Sequence, residues 1–164
     1  MEQLIPWLIF CIAVTVFCLV RPSAARIFVG IFFITMAVGV NLVLTLVAPD
    51  QFMKLGDAPL LPVYGWIFQN VFAPAPQVIG ILGAAGETAI GLLILSRGGR
   101  AKLGLAAAIV FLLAITPLGI WTLPNPVLAA GLAWLWTKDF PRSLLDMLRS
   151  PSRRAQGAAG SSVR

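Results

Sequence analysis

The sequence predicts an all-α fold, a polytopic bundle of transmembrane helices, from its composition and from the placement of its charges. Of the 164 residues, 59% are hydrophobic and only 11% are charged, and the mean hydropathy is +0.94. Ordinary soluble domains are about one quarter charged. A helix needs roughly 20 apolar residues to cross a bilayer. Four stretches carry no charged residue, namely 3–20, 27–49, 58–86 and 103–137.

The first apolar stretch predicts a helix over residues 4–20. Glu2 precedes this helix and Arg21 follows it. A secretory signal peptide carries its positive charge before the apolar run, which is the opposite order. We therefore expect a retained helix whose N-terminus lies outside.

The next elements are a tight turn, a second helix and a long connection. Pro22 predicts a break between Arg21 and Arg26, and the second helix is expected over 26–48. The connection 50–76 is nearly neutral in charge, so we place it outside. Within it, the aromatic segment 63–72 is too short to span and is interpreted as an interfacial helix or re-entrant cap.

Charge placement decides how the second half of the chain is divided. Its predicted helices are 77–96, about 101 to 119–123, and 126–140. A hairpin at 123–126 leaves eleven of the twelve Lys and Arg residues on one side, with only Lys54 opposite. Because positive residues favour cytoplasmic loops, we expect five spans in a bacterial cytoplasmic (inner) membrane, with the C-terminus in the cytoplasm.

Several functional classes are excluded by residue types that the chain lacks. It contains no histidine, so His-ligated haem, zinc or copper and Ser-His-Asp catalysis are excluded for this chain alone. Cys11 and Cys18 are seven residues apart on one helix, too distant for a disulfide. We expect no metal, no cofactor and no nucleic-acid partner. The tail 149–164 is predicted to be a disordered, basic cytoplasmic segment.

Glu87 is the single charge deep inside a predicted span, about 15 Å from the basic turn that begins at Arg97. A charge at that depth is costly, so such a carboxyl usually faces the bundle interior and is paired or protonated. Small or polar residues share its face of the third helix, and another set forms a stripe on the second helix. The set on the third helix is Gly80, Gly83, Ala84, Thr88 and Gly91, and the set on the second helix is Gly30, Ala37, Asn41 and Thr45.

Depth along the helices predicts a buried polar cluster. Counting residues from the basic turns places Asn41 and Thr116 at similar depth, and Glu87 reaches toward both. We therefore expect Glu87, Asn41, Thr116 and Thr45 to form one site. Three interpretations stay open: interhelical hydrogen bonding, a head-group site for a quinone or other lipophilic ligand, and a proton-carrying carboxylate.

The order of these features resembles the DoxX-like family of small bacterial membrane proteins. The shared features are Ala25 and Arg26 followed by GIFF at 30–33, Pro49 and Phe52 in the loop, Glu87 followed by GLLIL at 91–95 and a basic turn, and FPRSLLD at 140–146. The resemblance covers 25–148, with 1–24 as an added N-terminal helix and turn. It implies a four-helix core.

The resemblance also implies a function for the chain. Some similar proteins are linked to thiosulfate:quinone oxidoreductase or to membrane complexes against oxidative stress. A lysine often found late in the first core helix is replaced here near Asn41, and a histidine of some relatives is missing. We expect no catalytic activity from the chain alone. It is expected to be a membrane subunit or a protein that binds a small lipophilic ligand. There are two alternatives: a proton-coupled small-molecule carrier that uses Glu87, and a quinone-contacting subunit of a membrane oxidoreductase complex.

Overall fold

The computed structural model describes residues 3–148, and this part of the chain is helical without strands. Its helices are α1 (Leu4–Val20), α2 (Pro22–Val47), α3 (Pro49–Met53), α4 (Pro62–Ile67), α5 (Pro76–Leu95), α6 (Gly99–Ile115) and α7 (Asn125–Trp136). A π-helical stretch, Met36–Leu42, lies inside α2, and another, Phe68–Phe72, continues α4. The predicted disordered tail, 149–164, lies outside the described residues.

Three of the described helical segments are long and apolar enough to cross a membrane: α2, α5, and α6 with its extension to Leu118. Helix α1 is also apolar but has only 17 residues, and α7 has 12. The all-helical fold is therefore confirmed, and the long apolar helices support a membrane protein. The crossing of the bilayer by all five longer helices stays a prediction.

Two predicted helix boundaries are wrong. Helix α2 begins at Pro22 rather than at Arg26, because a proline at the first helical position gives up no hydrogen bond that the helix would otherwise make. Helix α7 ends at Trp136, before the predicted end at 140. The chain leaves the helix there so that Phe140, which is 4% exposed, packs into the core.

The longer helices pack in sequence into one bundle. Helix α2 packs against α5, α5 against α6, α6 against α7, and α7 against α1. The Gly98 amide, before α6, donates to the Phe140 carbonyl beyond α7 at 2.9 Å, and Lys102 pairs with Asp139 at 3.0 Å. Neighbouring helix ends therefore meet at one end of the bundle, which carries every described Lys and Arg except Lys54.

Arg26 joins three parts of this basic end. Its side chain is fully buried, and one guanidinium nitrogen donates to the carbonyls of Ile94 and Ser96 at the end of α5. The other terminal nitrogen donates to the Arg142 carbonyl at 2.8 Å. The guanidinium also lies 4.7 Å from the centre of the Phe140 ring. Arg26 therefore holds the segment after α7 against the end of α5.

Glycines allow α2 and α5 to approach closely. A Cβ atom added at Gly91 would lie 2.7 Å from the Gly30 carbonyl oxygen and 2.6 Å from Cγ1 of Ile34. Such small-residue contacts are how helices pack in membranes, where dispersion rather than the hydrophobic effect holds them together. The predicted packing face is thus present at Gly91 and Gly30, whereas an added Cβ atom at Gly83, assigned to the same face, would meet nothing within 4 Å.

We expect Gly91→Ala to destabilise the bundle by about 1–3 kcal/mol, the usual cost of overpacking a tight contact. Gly86→Ala is the matched control, because a Cβ atom at Gly86 meets nothing within 4 Å. Thermal unfolding in mild detergent measures both variants. Equal melting temperatures for the two variants would show that the close approach at Gly91 does not limit stability.

Candidate functional site

Glu87 and Asn41 form a hydrogen-bonded pair between two helices. Helix α5 places Glu87 on its buried face, where the residue is 8% exposed. Nδ2 of Asn41 donates to Oε2 of Glu87 at 2.6 Å. Asn41 lies in the π-helical stretch of α2, and π-helical turns inside α-helices are frequent at functional sites. The structure thus brings two of the predicted site residues into direct contact.

Thr45 does not hydrogen-bond to the Glu87 carboxyl group but to the backbone of Asn41. Its hydroxyl is fully buried and donates to the backbone carbonyl of Asn41 at 2.7 Å. It packs against Gly80 of α5, where an added Cβ atom would overlap the Thr45 side chain. Thr45 therefore fixes the backbone that carries Asn41 against α5.

The structure does not join Thr116 to Glu87. The Thr116 hydroxyl donates to the Leu112 carbonyl, one turn earlier in its own helix, at 2.8 Å. This local bond is the usual alternative for a threonine near a helix end. Thr116 also lines neither of the two cavities that border Glu87. Thr116 and Glu87 were predicted to lie at similar depth along the bundle, but similar depth was not enough to bring their side chains together.

The Glu87 and Asn41 pair borders a large aromatic cavity of about 560 Å³ between α1, α2, α5 and α6. Its walls are mainly aromatic, formed by Trp7, Phe10, Phe32, Phe33 and Phe111. The rings of Trp7 and Phe10 are stacked with their centres 5.1 Å apart. This large cavity combines flat apolar walls with a carboxyl group and an amide.

A second cavity of about 410 Å³ also borders the pair and lies between α5, α6 and α4. Both cavities are lined by Asn41, Glu87, Phe111, Ile115 and Trp121. These five residues therefore form a shared wall, with the Asn41–Glu87 hydrogen bond in it. In the described chain, Oε1 of Glu87 receives no hydrogen bond, so this oxygen is available to a ligand.

Helix α4 and the aromatic residues next to it cover the second cavity. The Tyr64 hydroxyl donates to the Ala114 carbonyl of α6 at 2.5 Å. The Phe68 and Phe72 rings have centres 4.7 Å apart and both pack on Phe52. The segment predicted as an interfacial helix or cap thus lies over a cavity, and its position relative to a membrane stays a prediction.

Sequence reasoning missed the residues at the opposite end of the large cavity. Nε1 of Trp7 donates to Oδ1 of Asn125 at 2.8 Å, across 118 positions of sequence. Asn125 is buried, and its amide also donates to the Leu112 carbonyl. Only the proline-flanked asparagine at 125, polar within an apolar stretch, could have signalled this contact. Through it, α1 forms part of the cavity wall.

The chemistry of the site is that of hydrogen bonding beside largely apolar walls. Within residues 3–148, no group of three or more His, Cys, Asp or Glu side chains could hold a metal ion. Cys11 and Cys18 are buried in α1 as free thiols, as expected for small apolar side chains. No family model matches the chain, and no curated protein or solved structure matches it.

Proposed function

We propose that this protein is a multi-pass membrane protein that binds a small lipophilic ligand in the large cavity. The observation that carries the proposal is an aromatic cavity of about 560 Å³ with a buried carboxyl and amide pair in its wall. Ligand sites commonly measure roughly 300–1,000 Å³ and combine apolar walls with a few polar groups. A ring bearing a hydroxyl or carbonyl group, as in a phenol or quinone, has the matching chemistry.

Binding of 4-ethylphenol to protein in lipid nanodiscs, measured by calorimetry against empty nanodiscs, tests this proposal. We expect Asn41→Leu to weaken binding about tenfold, because a lost hydrogen bond contributes about 1 kcal/mol or somewhat more. Asn70→Leu is the matched control, since Asn70 is exposed and lines neither cavity. Unchanged affinity in Asn41→Leu, or no binding beyond that of empty nanodiscs, would contradict the proposal.

The proposed topology has five crossings, with the N-terminus outside and the C-terminus in the cytoplasm of a bacterial cell. It is supported by the basic end of the bundle, which holds seven of the eight described Lys and Arg residues. Helix α7 is short for a span, about 18 Å long at 1.5 Å per residue. Local bilayer thinning and contact with α1 and α6 can accommodate that difference.

We expect a reporter fused after Arg164 to be active in the cytoplasm and one fused at the N-terminus to be active outside. Replacing Arg97, Arg100 and Lys102 should disturb this orientation more than removing the last ten residues, because short loops at helix ends dominate the positive-inside effect. A C-terminal fusion active on the outside would leave four crossings.

The DoxX-like resemblance adds a proposal about the setting in which the protein works. The sequential packing of α2, α5, α6 and α7 supports a four-helix core to which α1 is added. In this setting the protein is a non-catalytic membrane subunit, and any redox centre comes from a membrane protein partner. Mass spectrometry of proteins, lipids and quinones that co-purify in mild detergent tests both kinds of partner.

A proton-coupled carrier is the second candidate function. One observation favours it: Glu87 borders both cavities, so its carboxyl group can meet a molecule from either side. Ionisable residues inside membrane segments are frequent proton sites. A ligand-binding protein and a carrier differ in their response to Glu87→Gln.

A further inference from the structure

The second cavity differs from the large one in where its polar groups lie. Of the polar side chains that line it, Asn41, Glu87 and Trp121 belong to the shared wall. The remaining one, Tyr64, already donates its hydroxyl hydrogen to a backbone carbonyl. Away from the shared wall, the lining is aliphatic and aromatic. An occupant of this cavity therefore needs no hydrogen-bonding group outside the shared wall.

The large cavity has polar groups at two places. Glu87 and Asn41 lie in the shared wall, and Gln3 lines the cavity elsewhere. Thr122 and Asn125 also line it, but their side chains already hydrogen-bond to other residues of the chain. A head group with more than one polar atom is better accommodated there than in the second cavity, because a polar group buried without a partner is costly. The two cavities thus suit different parts of one amphiphilic molecule.

Charge restricts the head group further. Neither cavity is lined by a Lys or Arg residue, and Glu87 is the acidic residue in both. An anionic head group, such as a carboxylate or phosphate, would approach Glu87 beside largely apolar walls without a counter-charge. A neutral head group has no such penalty and can hydrogen-bond to Glu87 and Asn41.

We propose that the second cavity binds the hydrocarbon chain of a neutral amphiphile whose ring-shaped head group occupies the large cavity. The polar group of this ligand lies at the shared wall, where it hydrogen-bonds to Glu87 and Asn41. This inference rests on the proposed function and specifies its ligand class. Because the two cavities share five lining residues, they adjoin at this wall, where the chain passes from one to the other.

Gly83 provides a way to fill the second cavity without disturbing the helix. It lines this cavity and not the large one, and an added Cβ atom there meets nothing within 4 Å. Gly83→Leu therefore occupies space that the chain would use. Gly86→Leu is the matched control, because Gly86 is equally open but lines neither cavity. Leu118→Trp fills the second cavity from its other wall and gives an independent measurement.

The experiment measures the affinity of 2-alkylphenols, from 2-methylphenol to 2-dodecylphenol, for protein in nanodiscs after correction for empty nanodiscs. In these probes the chain and the hydroxyl group leave adjacent ring carbons, so both can lie at the shared wall. In the parent and in Gly86→Leu, affinity is expected to rise with chain length and then level off. In Gly83→Leu and Leu118→Trp, 2-octylphenol should bind about tenfold more weakly than to the parent, through lost apolar contact. Binding of 2-methylphenol should be unchanged in both variants.

Two results would overturn the inference in distinguishable ways. If both cavity-filling variants keep the chain-length dependence of the parent, the second cavity does not hold the chain, while the large-cavity proposal stands. If 2-methylphenol does not bind to the parent beyond empty nanodiscs, the proposed function fails together with the inference.

Discussion

Arg26→Met is expected to lower the free energy of unfolding by about 3 kcal/mol or more and to release the segment that follows α7. Arg26 is fully buried and donates hydrogen bonds to three backbone carbonyls, those of Ile94, Ser96 and Arg142. Hydrogen bonds made by a charged group each contribute about 1.5–3 kcal/mol, and acceptors left buried without a donor add a cost. Unfolding in detergent measures the loss of stability.

Two further variants separate the geometry of Arg26 from its charge. Arg26→Lys keeps the charge but lacks the planar, forked donor set, so we expect it to recover only part of the stability. Arg100→Met removes one positive charge from the same end at an exposed position and should leave stability nearly unchanged.

Limited trypsin digestion adds a local measurement at this end of the bundle. Cleavage after Arg142 should be faster in Arg26→Met than in the parent or in Arg100→Met, because Arg26 binds the carbonyl of Arg142. Equal stability and equal cleavage in Arg26→Met and Arg100→Met would contradict the stabilising role of Arg26. Its charge would then affect only the orientation of the protein in the membrane.

Glu87→Gln and Glu87→Ala are expected to have different effects on stability. A glutamine side chain keeps an acceptor oxygen for Nδ2 of Asn41, so Gln should change the unfolding free energy by less than about 1 kcal/mol. Alanine removes that acceptor and leaves the Asn41 amide without its partner, which should cost about 1–3 kcal/mol. Thermal unfolding in detergent compares the two variants with the parent.

Transport measurements on the same two variants decide between a binding protein and a carrier. If Glu87 serves only as a hydrogen-bonding group, Glu87→Gln keeps 4-ethylphenol binding and shows no transport defect. If Glu87 carries a proton, Glu87→Gln abolishes pH-dependent transport in proteoliposomes without loss of folded protein, because an amide releases no proton. Stability and activity equal to the parent in both variants would contradict any role for the Asn41–Glu87 pair.

The predicted helices were recognisable because two strong local signals agreed. Long apolar stretches predicted membrane-length helices, and clustered Arg and Lys residues marked the ends where those helices turn. The boundaries at Pro22 and Trp136 were predicted less well. The start at Pro22 follows from the tolerance of proline at the first helical position. The end at Trp136 accompanies the burial of Phe140, whose tertiary contacts are invisible in a hydropathy pattern.

The candidate site was only partly visible in the sequence. Asn41 and Glu87 could be placed near one another because rise per residue relates sequence position to depth in a bundle. Counting depth could not give the direction of the Thr116 side chain, which bonds within its own helix. It also could not reveal the Trp7–Asn125 contact, because no local pattern connects positions 118 apart.

By itself, the sequence determined that the chain is helical, that its apolar stretches are long enough for a membrane, and that Glu87 is the unusual charge among them. These properties follow from composition and spacing, which act locally along the chain. Tertiary structure alone decided that Arg26 is buried, that α1 completes the large cavity, and that Glu87 borders two cavities. Cavities form where side chains from several helices fail to fill the space between them, so they depend on how whole helices pack.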